Sequence, residues 1–241
     1  MVTGVPEERV GERMEGVLFD FHGTIAQVED PLEWVLAAAA DCGATLDIMR
    51  ATWLADRLVT AGRAGGPRPT RVPPHLAEVY ADRDLEPGAH RAAYAGLAAT
   101  VDAGIEGLSD ALYERLLSPR GWRVYADTLP TLRALYGAGV PIAVVSNIGF
   151  DIRALCDDLG LARYVSGWAL SYEVGRCKPD PAIFRYACRT LGADPARVLV
   201  VGDTPADAAA VDIGCRVLVL PAAPPGGVNG LDAALTLALP A

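Results

Sequence analysis

Five short apolar runs, none with the in–out alternation of a half-exposed strand, punctuate the chain: GVLFD (16–20), VPIAVVS (140–146), YVSGWAL (164–170), RVLVVGD (197–203) and CRVLVL (215–220). Runs of this length and character predict strands buried on both faces, the habit of a parallel sheet. Between the later runs lie segments with helical spacing and helical punctuation. ADTLPTLRALYGAG (126–139) places leucines at 129, 132 and 135 and closes on glycine, and DIRALCDDLG (151–160) ends the same way. DPAIFRYACRTLG (180–192) opens with Asp180 as cap and Pro181 at the first helical position, a scheme that TPADAAAVDIG (204–214) repeats. Strand and helix in alternation predict an α/β fold, a parallel sheet with helices on both faces.

The segment from 28 to 120 has a different texture. Alanine-rich helical stretches fill it, among them PLEWVLAAAADCG (31–43), GAHRAAYAGLAATVDAG (88–104) and LSDALYERLL (108–117), and none of it reads convincingly as strand. A Gly/Pro/Arg-rich loop, GRAGGPRPTRVPPH (62–75), interrupts them. The expected organisation is a core of residues 1–27 and 121–241 with a helical domain, 28–120, inserted after the first strand. Trp34 and Trp53 are expected in the insertion's own core, and His75 and His90 as surface or capping residues. Arg63, Arg68 and Arg71 belong to a solvated loop or to a site for a second anionic group on a substrate.

Composition narrows the function classes. The chain has 241 residues, 51% of them apolar, enough for a well-buried core. Its formal charge of -9 argues against general affinity for nucleic acid or anionic membrane. The five cysteines are scattered without a C-x-x-C pair, so neither a zinc site nor a disulfide framework is signalled, and a reducing cytoplasm is expected. MVTGVPEERVGERMEG (1–16) lacks the apolar centre of a signal peptide. One lysine, Lys178, occurs in the whole sequence.

In open α/β sheets ligands bind beyond the carboxyl ends of the strands. The first strand ends there in Asp20, the second in Ser146 and Asn147, and the fourth in Gly202-Asp203-Thr204 with Asp207 one turn on; Lys178 lies in the loop after the third. Asp20 and Asp203 offer the hard oxygens that suit Mg²⁺. Ser146, Asn147 and the backbone N–H groups of Gly23 and Thr24 form a candidate phosphoryl cradle, and Lys178 supplies the positive charge the chain otherwise lacks. A carboxylate in such company can act as a nucleophile toward phosphorus.

Asp20-x-x-Gly23-Thr24, Ser146-Asn147, Lys178-Pro179 and Gly202-Asp203-x3-Asp207 resemble, in order, the four motifs of the haloacid dehalogenase superfamily. The resemblance covers about residues 16–220, and the insertion is similar to that family's C1 cap. It implies a Rossmann-like core with a helical lid and a Mg²⁺-dependent phosphohydrolase acting on a small phosphorylated metabolite. It further implies Asp20 as nucleophile, Ser146 and Lys178 on the phosphoryl oxygens, Asp207 orienting its neighbours, and a metal held by Asp20, Asp203 and the backbone carbonyl of His22. A monomer or homodimer is expected.

His22 departs from the family pattern, whose phosphatases carry there a second Asp as general acid and base. An imidazole can take over that task, and this is the reading adopted. A 2-haloacid dehalogenase needs no acid at that place, but it needs no metal either and would not call for Asp203. Phosphonate cleavage would require a lysine in the cap, where the sequence has none. The remaining reading is a slow enzyme or phosphate-binding module in which His22 marks a loss.

Overall fold

The computed structural model describes residues 13–239; most of the segment read for a signal peptide lies outside them. In chain order the elements are β1 (Gly16–Phe19), β2 (Ala26–Val28), α1 (Pro31–Asp41), α2 (Ile48–Ala61), α3 (Ala77–Ala81), α4 (Pro87–Ala99), α5 (Leu108–Leu117), β3 (Trp122–Val124), α6 (Thr128–Gly137), β4 (Ile142–Ser146), α7 (Arg153–Asp158), β5 (Gly167–Leu170), α8 (Ser171–Val174), α9 (Pro181–Leu191), β6 (Val198–Gly202), α10 (Pro205–Ala208), β7 (Arg216–Val219) and α11 (Asp232–Ala238). The main sheet is parallel in the order β5-β4-β1-β6-β7. The structure is thus a Rossmann-like α/β core with a helical cap, as the pattern of runs predicts.

Alternate residues of the central strands feed two separate cores. Val17, Phe19, Ile142, Val144, Leu199 and Val201 pack on the face covered by α6, α7 and α11. Leu18, Ala143, Val145, Val198 and Val200 face α9, through Ile183, Phe184 and Ala187. That is why these runs lack polar positions: both faces are dry. The edge strand β7 is the exception, with every residue at least partly exposed. Phe19 stands level with both Val144 and Val201, so β1, β4 and β6 end at one height and deliver Asp20, Ser146 and Asp203 to the same rim.

Helix starts follow the sequence signals. The Asp180 side chain accepts from the Ala182 N–H at 2.8 Å with Pro181 at the first position, and Asp30 and Asp47 cap α1 and α2 in the same manner. Residues 204–214, expected as one helix, divide into α10 and a 3₁₀ segment, Ala209–Ile213.

Two strands escape the sequence pattern. β2 and β3 form an antiparallel ribbon, Val28 opposite Trp122, through which the chain enters and leaves the cap. At its cap end the buried Glu29 carboxylate accepts two hydrogen bonds from Arg115, both 2.6 Å. The cap has its own core of Trp34, Val35, Leu54, Leu58, Leu108 and Leu112. Trp53, expected there, is 49% exposed and stacks beneath Arg57 instead. His90 is the converse correction. It is buried, bonded to the Tyr113 hydroxyl at 2.8 Å and edge-on to Phe150 of the core. Burial, aided by the Arg83 charge, lowers its pKa to about 4.

Candidate active site

Four sequence-predicted residues converge on the sheet rim. Lys178 Nζ lies 2.7 Å from Asp20 Oδ1 and 2.6 Å from Asp207 Oδ1, and all three side chains are buried. The other Asp207 oxygen accepts from the Thr204 N–H at 3.1 Å and from its hydroxyl at 2.7 Å, so this carboxylate both caps α10 and aims the lysine. Asp203 completes the group: oxygens of Asp20, Asp203 and Asp207 fall within 4.8 Å of one another. Asp203 Oδ1 is buried without a hydrogen-bond partner.

Three carboxylates around one ammonium carry a formal excess of two negative charges, which the metal-free site relieves in part by retaining a proton. Burial raises the Asp20 carboxyl to about 7; Lys178 opposes the shift, while Asp207 and Asp203 reinforce it. Asp203 is pushed up for the same first reason, burial. Burial alone would depress Lys178, yet its two carboxylate partners prevail and its pKa is raised. Hard oxygen donors, an orphaned carboxylate oxygen and a two-charge deficit fit a divalent cation such as Mg²⁺.

The turn after β1 is closed by its own hydrogen bonds, from Ile25 and Ala26 N–H to the Phe21 carbonyl, both 3.1 Å. Gly23 has φ +83°, and a side chain there would collide with the Asp203 carboxylate. Its N–H, expected to cradle a phosphoryl oxygen, donates at 2.8 Å to the Ala26 carbonyl. Thr24 is fully buried, its hydroxyl without a partner. A residue the sequence pattern gave no reason to single out braces this turn. Asn229 Nδ2 donates to the Gly23 and Thr24 carbonyls at 3.2 and 3.0 Å. Only the turn-forming composition of GGVNG (226–230) hinted at an ordered loop there.

Ser146, buried at the end of β4, and His22 border one cavity of about 90 Å³ between rim and cap. Asn147 also reaches that cavity, but its amide is committed elsewhere: Nδ2 donates to the Lys178 carbonyl at 2.9 Å and Oδ1 accepts from the Lys178 N–H at 2.7 Å. These two bonds tie the amide to the Lys178 backbone. The His22 imidazole stands apart from the carboxylate cluster. It packs edge-on to Trp122 at 5.9 Å and so closely beneath Gly65 of the cap that a Cβ on Gly65 would strike its ring. Burial lowers its pKa to about 4, and Nε2 is buried without a partner.

A model of the haloacid dehalogenase-like hydrolase family matches residues 14–211. The chain belongs to that family. As an HAD-like hydrolase it is 36% identical over 97 residues to haloacid dehalogenase-like hydrolase domain-containing protein 3 of Mus musculus, a match covering 40% of this chain and 39% of that protein. A phosphoglycolate phosphatase of Neisseria meningitidis is 37% identical over 95 residues, covering 39% of this chain and 40% of that one. The matched segments thus span about two-fifths of these relatives. Among solved structures, a dehalogenase with a bound intermediate superposes with a TM-score of 0.64 at 22% identity, covering 95% of this chain and 99% of that chain. At that identity the likeness carries the fold. The HAD-like hydrolase is an enzyme, and its relatives include proteins named as phosphatases. No helix among the described residues is long and apolar enough to cross a membrane.

Proposed function

We propose that the protein hydrolyses a phosphomonoester of a small metabolite, with Asp20 as the nucleophile and residues 28–120 as the lid. The observation that carries this reading is the two-charge deficit around Lys178, with Asp203 Oδ1 orphaned beside it. Halide displacement on carbon gives no use to such a deficit, whereas a phosphoryl-transfer site assembled around a cation does.

Asp20, Asp203 and the backbone carbonyl of His22 would hold Mg²⁺. When bound, the ion supplies positive charge that lets an ionised Asp20 approach an anionic phosphoryl group. An Asp20 carboxylate oxygen attacks phosphorus while the bond from phosphorus to the ester oxygen breaks. Ser146 donates its hydroxyl to a phosphoryl oxygen, and Lys178, aimed by Asp207 and Asn147, balances charge on Asp20 and the transferred group. Burial keeps His22 neutral in the free protein. It can take the proton that a monoanionic ester brings on its phosphoryl oxygen and pass it to the departing alkoxide. In the second half it takes a proton from the water that attacks phosphorus, releasing phosphate and restoring the Asp20 carboxylate.

The test is phosphate release from a panel of phosphomonoesters with Mg²⁺ and with EDTA. Metal-dependent release supports the reading. Turnover of 2-chloropropionate that persists in EDTA would reverse it in favour of dehalogenation, and phosphate binding without turnover would reduce the protein to a binding module.

A further inference from the structure

The cavity that reaches His22 and Ser146 is closed on its other side by Tyr94, Leu116, Trp122, Ile148 and Phe150, with Asp84 as its one acidic side chain among the described residues. No lysine or arginine lines it among the described residues. The arginines whose loop sequence suggested a second anion site are engaged or sited elsewhere. Arg63 is buried and lies 4.3 Å over the Trp34 ring, and Arg68 and Arg71 are exposed and do not line the cavity. Arg83, next in chain to Asp84, pairs with it at 3.2 Å, donates to the Tyr80 carbonyl at 2.6 Å and stacks on the Tyr80 ring at 4.3 Å.

Asp84 is held firmly where it is. Its carbonyl accepts from the Ser171 hydroxyl of the core, and Gly149 of the core loop fits directly beneath the Arg83 carbonyl, where any side chain would collide. The cavity is small, ≈ 90 Å³.

Resting on the phosphatase reading, we propose that the alcohol half of the substrate is a small, uncharged, largely apolar group, and that Asp84 is the specificity-determining residue that turns away a second anion. The relatives named phosphoglycolate phosphatases would then mark a neighbouring specificity, since that substrate ends in a carboxylate that this cavity meets with Asp84 and no cation.

Propyl phosphate and phosphoglycolate are nearly isosteric and differ in that carboxylate, so the full chain in Mg²⁺ is assayed with both, with p-nitrophenyl phosphate alongside. The expected kcat/KM favours propyl phosphate by about tenfold, the scale of a like charge met in a partly desolvated site and only partly offset by its Arg83 partner, although glycolate is the better leaving group. Asp84→Asn should shrink that ratio, as should Phe150→Lys, which adds a cation to the wall; either variant suffices if the other does not fold. Equal or preferred hydrolysis of phosphoglycolate overturns the inference and leaves the phosphatase reading standing, as does a ratio unmoved in folded variants. Failure of all three esters removes both.

Discussion

Asn147 and Lys178 grip each other at the backbone: the amide nitrogen donates to the Lys178 carbonyl at 2.9 Å, and the amide oxygen accepts from the Lys178 N–H at 2.7 Å. The next strand end thereby sets the height at which the ammonium enters between Asp20 and Asp207. Asn147→Ala should lower kcat by about a hundredfold, the usual consequence of displacing a charged group by an ångström. Two hydrogen bonds lost in a largely buried site should also cost about 1–3 kcal/mol of stability. Steady-state kinetics with denaturant melts check both, and a loss of stability with kcat unchanged in the folded protein would contradict the positioning role.

Asp20 carries a stability cost that its chemistry requires. Its folded pKa of about 7 lies above its ordinary 3.8. Between those values the folded chain retains a proton that the unfolded chain has released, so the metal-free protein loses stability as pH climbs from about 4 to about 7. Asp20→Asn should abolish turnover of every substrate, yet show a smaller fall in Tm between pH 5 and pH 8 than the parent in EDTA. A parallel fall in both proteins would refute the assignment.

Magnesium should reverse that penalty. Metal and protons compete for the same oxygens, so Mg²⁺ should raise the Tm more at pH 8 than at pH 5. Asp203→Asn, which neutralises the orphaned carboxylate, should erase most of the shift. Thermal melts with and without the ion decide this independently of any activity.

His22 is expected to show itself through the leaving group. An aryl phosphate departs without a proton, whereas an alkyl phosphate needs one. His22→Ala should therefore reduce kcat/KM for alkyl esters at least about tenfold more than for p-nitrophenyl phosphate. Equal damage to both would assign the ring to packing beneath Gly65 alone.

His90 ties cap stability to pH in the opposite sense from Asp20. Burial and Arg83 hold its pKa at about 4, below its ordinary 6.5. Its contribution is complete above about pH 6.5 and drains away as pH falls toward 4, because the unfolded chain takes up the proton first. His90→Phe should flatten the Tm profile across that window.

The candidate site at the rim is legible in the sequence because parallel strands that end level turn sequence motifs into neighbours. Asp20, Ser146, Asp203 and Asp207 each follow an apolar run, and Lys178 sits in a strand–helix connection, so their convergence follows from topology alone. Other features depend on information that a linear pattern does not hold. β2 and β3 are three residues each, too short to display a period, and pair across the whole cap. The diversion of the Gly23 N–H into its own turn, and of the Asn147 amide to Lys178, depends on loop closure. In α4 alanine lies on every side, so no contrast told which face would be buried, and His90 was misplaced. Trp53 lies among the leucines of the insertion and reads as core, yet α2 turns it outward beneath Arg57.

Lys178 has one more property, which follows from its being the sequence's sole lysine and only 6% exposed. Among side chains, reagents that acylate or reductively alkylate amines have a single address on this protein, and on the proposed reading it lies under the lid. Modification of Lys178 should be slow in the closed form and should stop turnover, whereas a label on the α-amine should not. On the reading of residues 28–120 as a lid, the rate of labelling at Lys178 becomes a clock for how often it lifts, read by peptide mass spectrometry without any substrate.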